Sequence, residues 1–312
     1  IGAPPLAYQW LLNGAPIPGG TSSILSLTNV NTSRVGAYTV VVTSSAASST
    51  SDPATLALSS TPTRLGNIST RGVTSGGANV LIGGFVVTGG PNQTRQMLIR
   101  AVGPALAARG VTGFLGNPRR EVYAGANPTP VLVNDDWGTQ TGGAAAVAAI
   151  RQAATRGGAF ALPTNSNDAA VLATLPPGPY TVQAKGPNEA ASGVVLIEVY
   201  DVTQGGPAGP KAANVSTRGV VGTDGNILIA GFVVNGAVSR RILIRGAGPT
   251  LQRFGLPANA VLADPQLTLI DQASGKTIKT NDDWASGEDA AIIAAAATAA
   301  GVFPLANGSK DA

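Results

Sequence analysis

The chain has 312 residues, 44% of them hydrophobic and only 12% charged, with 41 Gly, 22 Pro and a formal net charge of +4. That length accommodates about two or three domains, and the Gly and Pro content favours short strands and tight turns over helices. There is no Cys and no His; this excludes catalysis by those residues and zinc sites built from them, and the scattered Lys and Arg form no basic stripe of the kind a nucleic-acid surface needs.

Residues 6–14, LAYQWLLNG, read as a strand ending in an Asn-Gly turn. Alternating apolar residues predict further strands over 23–30, 36–44 and 53–58. Residues 59–68, with Pro62, read as a linker. This order resembles the latter part of an immunoglobulin-like domain. Trp10 matches its core Trp, and Gly36-Ala37-Tyr38-Thr39-Val40 matches its Gly-x-Tyr-x-Cys signature with Val40 in place of Cys. The resemblance implies a tyrosine corner at Tyr38, its hydroxyl bonding back to the preceding loop. Domain 1–60 is then an immunoglobulin-like domain lacking its first strands.

The rest of the chain is dominated by a repeat. Residues 69–104 and 216–249 share Ser-Thr-Arg-Gly, an apolar run (LIGGFVV or LIAGFVV), LIR and Gly-Pro; each is followed by Asn-Asp-Asp-Trp, at 134–137 and 281–284. The offset is 147 residues at both Ser-Thr-Arg-Gly and Asn-Asp-Asp-Trp. Strands are predicted over 79–87 and 95–101 in the first copy and over 226–234 and 240–246 in the second. The near-continuous apolar runs suit strands buried on both faces, and Gly83, Gly84 and Gly231 suit a bulge or a close backbone approach. Helical turns are expected at 106–109 and 251–254, and shorter strands at 120–123, 130–133, 266–271 and 276–280. An Ala-rich helix follows each Asn-Asp-Asp-Trp; in the second copy Ser286 reads as its N-cap and Gly301 as its stop. That Ala-rich run, 290–306, is shorter than the ~20 apolar residues of a bilayer span.

The first copy continues with strands predicted over 168–175, 180–185 and 193–202. Its PPGPYTVQ turn and strand resemble the closing strands of β-sandwich modules of the pre-peptidase C-terminal type. The tandem repeats are similar to β-rich modules of very large bacterial surface proteins. The fold class expected is therefore mainly β: serial sandwich modules, an immunoglobulin-like one (1–60) and two jelly-roll-like repeats (64–206 and 211–312), each repeat with a short Ala-rich helix. The second copy reaches Asp311-Ala312, which match Asp168-Ala169. This predicts either that the 312 residues are a segment of a longer protein or that neighbours supply its closing strands.

Candidate sites are few. Asn134, Asp135 and Asp136, with Asn281, Asp282 and Asp283, offer oxygen ligands that suit calcium, the only cofactor the sequence suggests; alternatively these side chains cap the turn and the helix after it. Trp137 and Trp284 either stack on sugars or, with Trp10 and Tyr38, anchor the structure. Arg100 and Arg245 sit at the ends of apolar strands and Glu198 lies within one, which suits a partly buried Arg–carboxylate pair; a catalytic carboxylate pair is the sharper alternative, but the sequence shows no pocket for it. No nucleophile or phosphate-loop pattern marks an enzyme. The function expected is that of an extracellular structural or adhesive repeat protein, secreted or at the cell surface, in a stalk, filament or fibre. Its partners would be itself or neighbouring modules, with no nucleic acid and no membrane span. The alternative is a carbohydrate- or ligand-binding accessory region of a larger secreted enzyme.

Overall fold

The computed structural model describes residues 4–28, 30–58, 64–203, 211–236, 239–286 and 289–312. They form two compact units, one chiefly of residues before 59 and one of residues from 64 onward. Every pair of strands is antiparallel. The chain is mainly β, as its turn-rich, weakly charged composition predicts.

In the first unit, β1 (Ala7–Leu12), β2 (Ala15–Pro16), β3 (Gly36–Thr43) and β4 (Ser48–Thr50) form one sheet in the order β2-β1-β3-β4, and β5 (Ala54–Leu56) also pairs with β3. Asn13 and Gly14 take φ of 50° and 82°, the left-handed pair that a two-residue hairpin turn requires. Trp10 stands opposite Val40 across β1 and β3, half-buried, and its indole nitrogen donates to Ser22 O at 2.9 Å. Tyr38 is buried, and its hydroxyl donates to Arg34 O at 2.6 Å. The strand expected over 23–30 does not form. Ile24 is 76% exposed, and among the described residues of this unit no second sheet faces that segment. The linker expected over 59–68 is shorter than its composition suggests, because Arg64–Ile68 already belong to a strand; 59–63 lie outside the described residues.

The second unit is two facing sheets with a helix over one of them. Its strands are β6 (Arg64–Thr74), β7 (Leu81–Thr88), β8 (Arg95–Val102), β9 (Arg119–Ala124), β10 (Leu132–Asn134), β11 (Ala169–Leu175), β12 (Gly178–Lys185), β13 (Gly193–Asp201), β14 (Lys211–Arg218) and β15 (Ile229–Asn235). One sheet runs β11-β8-β13-β6-β15 and the other β10-β9-β12-β7-β14. In β7 burial alternates along LIGGFVVT, so Leu81, Phe85 and Val87 face inward. They meet Met97, Ile99, Val195, Ile197 and Val199 from the facing sheet in one apolar core. The β8 strand is buried on both faces, as its near-continuous apolar run predicts. Leu98, Ala170 and Tyr200 on its outer side pack against α1 (Gly143–Gly157) through Ile150, Ala153 and Ala154. The small alanines and Gly157 permit this close seat, since a Cβ at Gly157 would lie 3.1 Å from the Tyr200 ring.

The second copy keeps its 3-10 turn Pro249–Phe254, matching Pro104–Arg109. It also keeps the hairpin β16 (Leu267–Ile270) and β17 (Thr277–Asn281), and α2 (Ala290–Ala299). Two expectations fail there. Residues 240–246 are in no strand; among the described residues only Gly246 is bonded as a strand residue would be, to Ala312. Ser286 does not cap the helix. Asp289 holds that position without a side-chain bond, and the Ser286 hydroxyl donates to Asp283 O at 2.8 Å.

Candidate functional site: a seam between the two repeats

The duplicated motif is where the copies meet. The Ser-Thr-Arg-Gly segments are the ends of β6 and β14, and the LIxGFVV runs are β7 and β15. Of these duplicated segments, each copy places one in each sheet, and among the described residues they are the second copy's only strands in either. β14 of the second copy pairs with β7 of the first, and β15 of the second pairs with β6 of the first. Two such segments in one sheet would leave the other sheet with a bare edge; the exchange closes one edge of both.

The two ladders share a register. Gly83 stands opposite Thr217, and Ala230 opposite Thr70; Gly84 opposite Ser216, and Gly231 opposite Ser69; Phe85 opposite Val215, and Phe232 opposite Ile68. Each second pair is the first with the repeats exchanged. Val73 and Val220, equivalent residues, bridge to each other. The seam thus has an approximate twofold relation, the isologous pattern of a symmetric dimer built within one chain. The bulges break it by one residue. Val86 pairs with Ala213 beside a bulge at Asn214, whereas Val233 pairs with Asn67; Asn214 takes φ of 59°, which Asn tolerates better than most residues.

Side chains explain the motif. A Cβ at Gly84 would lie 2.2 Å from Ser216 Oγ, and one at Gly231 would lie 2.6 Å from Ser69 Oγ. Serine of one copy therefore occupies the place a side chain would need on the glycine of the other. Thr70 and Thr217, the next residues, each carry a buried hydroxyl with no hydrogen-bond partner among the described residues. Sequence reading found the motif but missed this pairing. The available signal was that two neighbouring segments were duplicated together, and both could form strand edges.

Most polar groups of the Asn-Asp-Asp-Trp loops serve the fold, but Asp136 Oδ1 and Asn281 Oδ1 are buried with no hydrogen-bond partner among the described residues. Asn134 Oδ1 accepts from Ala170 N at 2.9 Å, and its amide donates to Asp136 O at 3.0 Å. Trp137 is buried, and its indole nitrogen donates to Pro163 O at 3.1 Å. Trp284 is buried likewise and donates to Ala306 O. Asp283 accepts from Lys310 Nζ at 3.1 Å. Asp135 and Asp282 take no part in a ligand cluster: among the described residues no three acidic groups converge as a metal site would need. The sheets bring in Asp168 and Asp311 instead. Asp168 Oδ1 accepts from Gly103 N at 2.8 Å, and Asp311 Oδ1 accepts from Gly248 N at 2.7 Å, so each carboxylate holds the start of a 3-10 turn. For Asp311 burial alone would raise the pKa. The Ser309 and Thr250 hydroxyls and the Gly248 and Thr250 amides outweigh it and hold the carboxyl below its ordinary range.

Arg100 and Glu198 form the buried ion pair foreseen from their strands. They stand opposite each other on β8 and β13, with Arg100 Nε 2.9 Å from Glu198 Oε2 and a second bond from Nη2. Nη1 donates to Phe160 O at 2.6 Å, and the guanidinium lies over the Phe160 ring. Tyr200 donates to the other Glu198 oxygen at 2.6 Å; burial, then the Glu198 charge, raise its pKa. Every strong group here is answered by another, so the cluster is structural. Arg120 is different. It is buried on β9 with no hydrogen-bond partner among the described residues, and burial lowers its pKa to about 10.

A cleft of about 530 Å³ is lined by Ser75–Ala78, Lys185–Glu189 and Arg218 of β14. Lys185 is already paired with Glu121 at 2.6 Å, and Glu189 accepts from Gly77 N at 2.6 Å. No protein-family model, no curated protein and no solved structure matches this chain.

Proposed function

We propose that the chain is an extracellular structural and adhesive repeat protein, part of a surface stalk, filament or fibre. The observation that carries this reading is the strand exchange, in which each repeat completes a sheet edge of the other. Pulling the repeats apart requires both ladders, β6 with β15 and β7 with β14, to break together, so tension meets a cooperative element. Sequence supports the same role: the residues spent most consistently in both copies, Ser69, Gly84 and their twins, make the seam. The Trp residues that would serve as sugar platforms are buried instead, which leaves the accessory carbohydrate-binding reading without an observation in its favour.

The test is electron microscopy of the native material, combined with single-molecule pulling on the recombinant chain. Regular elongated arrays, and a force event that releases both repeats at once, are expected. Dispersed monomers that bind polysaccharide would sink the proposal.

A further inference from the structure

Among the described residues three arginines are buried, Arg95, Arg100 and Arg120. Two of them face an acid. Arg100 bonds to Glu198, and Arg95 lies 3.7 Å from Asp201. Arg120 is 0% exposed, yet it makes no ion pair among the described residues. Its Nε, Nη1 and Nη2 are all enclosed with no hydrogen-bond partner there. Burial alone accounts for its lowered pKa, and no carboxylate offsets it.

The fold fixes where this guanidinium sits. Arg120 stands on β9 between Asn134 of β10 and Ala184 of β12. It shares the strand face of Val122, which belongs to the core between the two sheets. Glu121 is on the opposite face and is engaged by Arg119, Tyr123 and Lys185. The flanking acceptors are engaged too: Asn134 Oδ1 accepts from Ala170 N, and Ala184 O accepts from the Thr74 hydroxyl at 2.6 Å. Two buried oxygens have no partner, Asn117 Oδ1 three residues before Arg120 and Asp136 Oδ1 two residues past Asn134, and neither bonds to the guanidinium. At the matching place in the second repeat Leu267 stands opposite Asn281, so the sandwich itself needs no cation there. A guanidinium is far costlier to enclose than a leucine unless an anion answers it.

We propose that Arg120 holds one small monovalent anion of halide size between the sheets of the first repeat. The charge class follows from the guanidinium's N–H donors, all unanswered, and from a positive charge that no acid balances. The size follows from complete burial in a close-packed core, which admits a single-atom ligand more readily than a polyatomic one. Leu267 makes the site a property of the first repeat alone. The site does not depend on the repeats forming a stalk or fibre.

The experiment uses the full 312-residue chain in sodium gluconate, with bromide replacing gluconate at constant ionic strength so that general screening is held fixed. The chain is first held just below its melting range, where local opening lets an enclosed site exchange its ion. Thermal midpoints are then read against bromide concentration, and crystals grown in bromide are measured at the bromine absorption edge. The expected result is one anomalous peak in contact with the Arg120 guanidinium, and a midpoint that rises by about 3–5 °C for each tenfold increase in bromide beyond half-saturation. Arg120→Leu, which copies the second repeat, should show neither. In gluconate it should be the more stable chain, and bromide should narrow the gap. The anomalous map needs no variant, so the proposal stays testable even where Arg120→Leu does not fold. Ordered water alone at the guanidinium, bridging it to Asp136 or Asn117, would overturn the proposal, as would a direct bond to either residue. An equal bromide response in the wild type and Arg120→Leu would also overturn it. A peak without any midpoint response would mark an adventitious ion only and would count against it in the same way.

Discussion

The two repeats place nearly the same residues in two environments. In the first, Arg100 is buried with Glu198 across from it. In the second, Arg245 keeps the Phe303 carbonyl and ring and feels the Asp311 charge, but makes no ion pair with an acid among the described residues. The difference shows that the LIR strand owes its form to its neighbours. Residues 95–102 are a strand between β11 and β13, and the matching 240–246 are in no strand. Sheet propensity is largely a matter of packing and pairing, and here the same Leu-Ile-Arg tripeptide takes two states.

Removing each arginine should separate these environments most strongly. Arg100→Ala leaves Glu198 buried without its cation and should cost about 3–5 kcal/mol. Arg245→Ala loses one hydrogen bond and some ring contact at a half-exposed site, and should cost at most about 1 kcal/mol. Urea denaturation of both variants measures the difference. Equal losses would mean that Arg245 already has a buried partner, and the contrast between the repeats would collapse.

Arg120 offers a second contrast, of opposite sign. It stands opposite Asn134 on β10, and the residue opposite Asn281 in the second copy is Leu267. The first repeat thus buries a guanidinium where the second places a leucine. Arg120→Leu should stabilise the first repeat by on the order of 1–3 kcal/mol, because a buried charge without a partner costs more than the side chain's packing returns. The folded-state pKa, about 10, lies below the ordinary value. The penalty is therefore complete below pH 10 and eases as pH rises beyond it. The gain in thermal midpoint should shrink accordingly between pH 8 and 11; a gain that stays constant would assign the effect to packing alone.

The seam predicts a smaller, paired effect. Gly84→Val and Gly231→Val each set a branched side chain against a serine of the other copy, and each should cost about 1–3 kcal/mol through overpacking. Ser216→Gly should relieve Gly84→Val but not Gly231→Val, and Ser69→Gly the reverse. A double-mutant cycle read by thermal melting checks this pairing.

Much of this architecture was legible in the residues, and the reasons differ by element. The β7 run and the Ala-rich helices carry their own periodicity, so their place follows from local pattern. The Arg100–Glu198 pair was foreseeable because a charge within an apolar strand must find a partner. Three elements were not legible. The strand expected over 23–30 has the right alternation but no facing sheet among the described residues. β6 spans part of the expected linker and Ser-Thr-Arg-Gly, whose polar residues show no strand alternation, and two ladders bond it. The seam itself is a long-range pairing that no single window contains; only the joint duplication of two strands hinted at it. The Asn-Asp-Asp-Trp loops admit two readings in the sequence, capping and calcium, because side chains that hold backbone groups and side chains that hold cations are the same residue types.

The smallest effect concerns the carboxylates that hold the 3-10 turns. Asp168 and Asp311 make matching bonds to Gly103 and Gly248, but Asp311 also accepts from the Thr250 hydroxyl, where the first copy has Ala105. Asp311→Asn should lower stability at pH 7 by about 1–2 kcal/mol, since the amide can accept at only one of its two ends. The folded-state pKa of Asp311 lies below its ordinary value. Its contribution is therefore complete above the unfolded range near pH 4 and is lost as pH falls through the folded value. Denaturation curves at pH 7, 5 and 3 should show the wild type and Asp311→Asn converging at the lowest pH. Ala105→Thr tests the same bond from the other side. It places a hydroxyl beside Asp168 and should make the first repeat's turn resemble the second's, provided that the buried site of Ala105 accepts the extra atoms; a loss of stability larger than about 1 kcal/mol would show that packing there outweighs the new hydrogen bond.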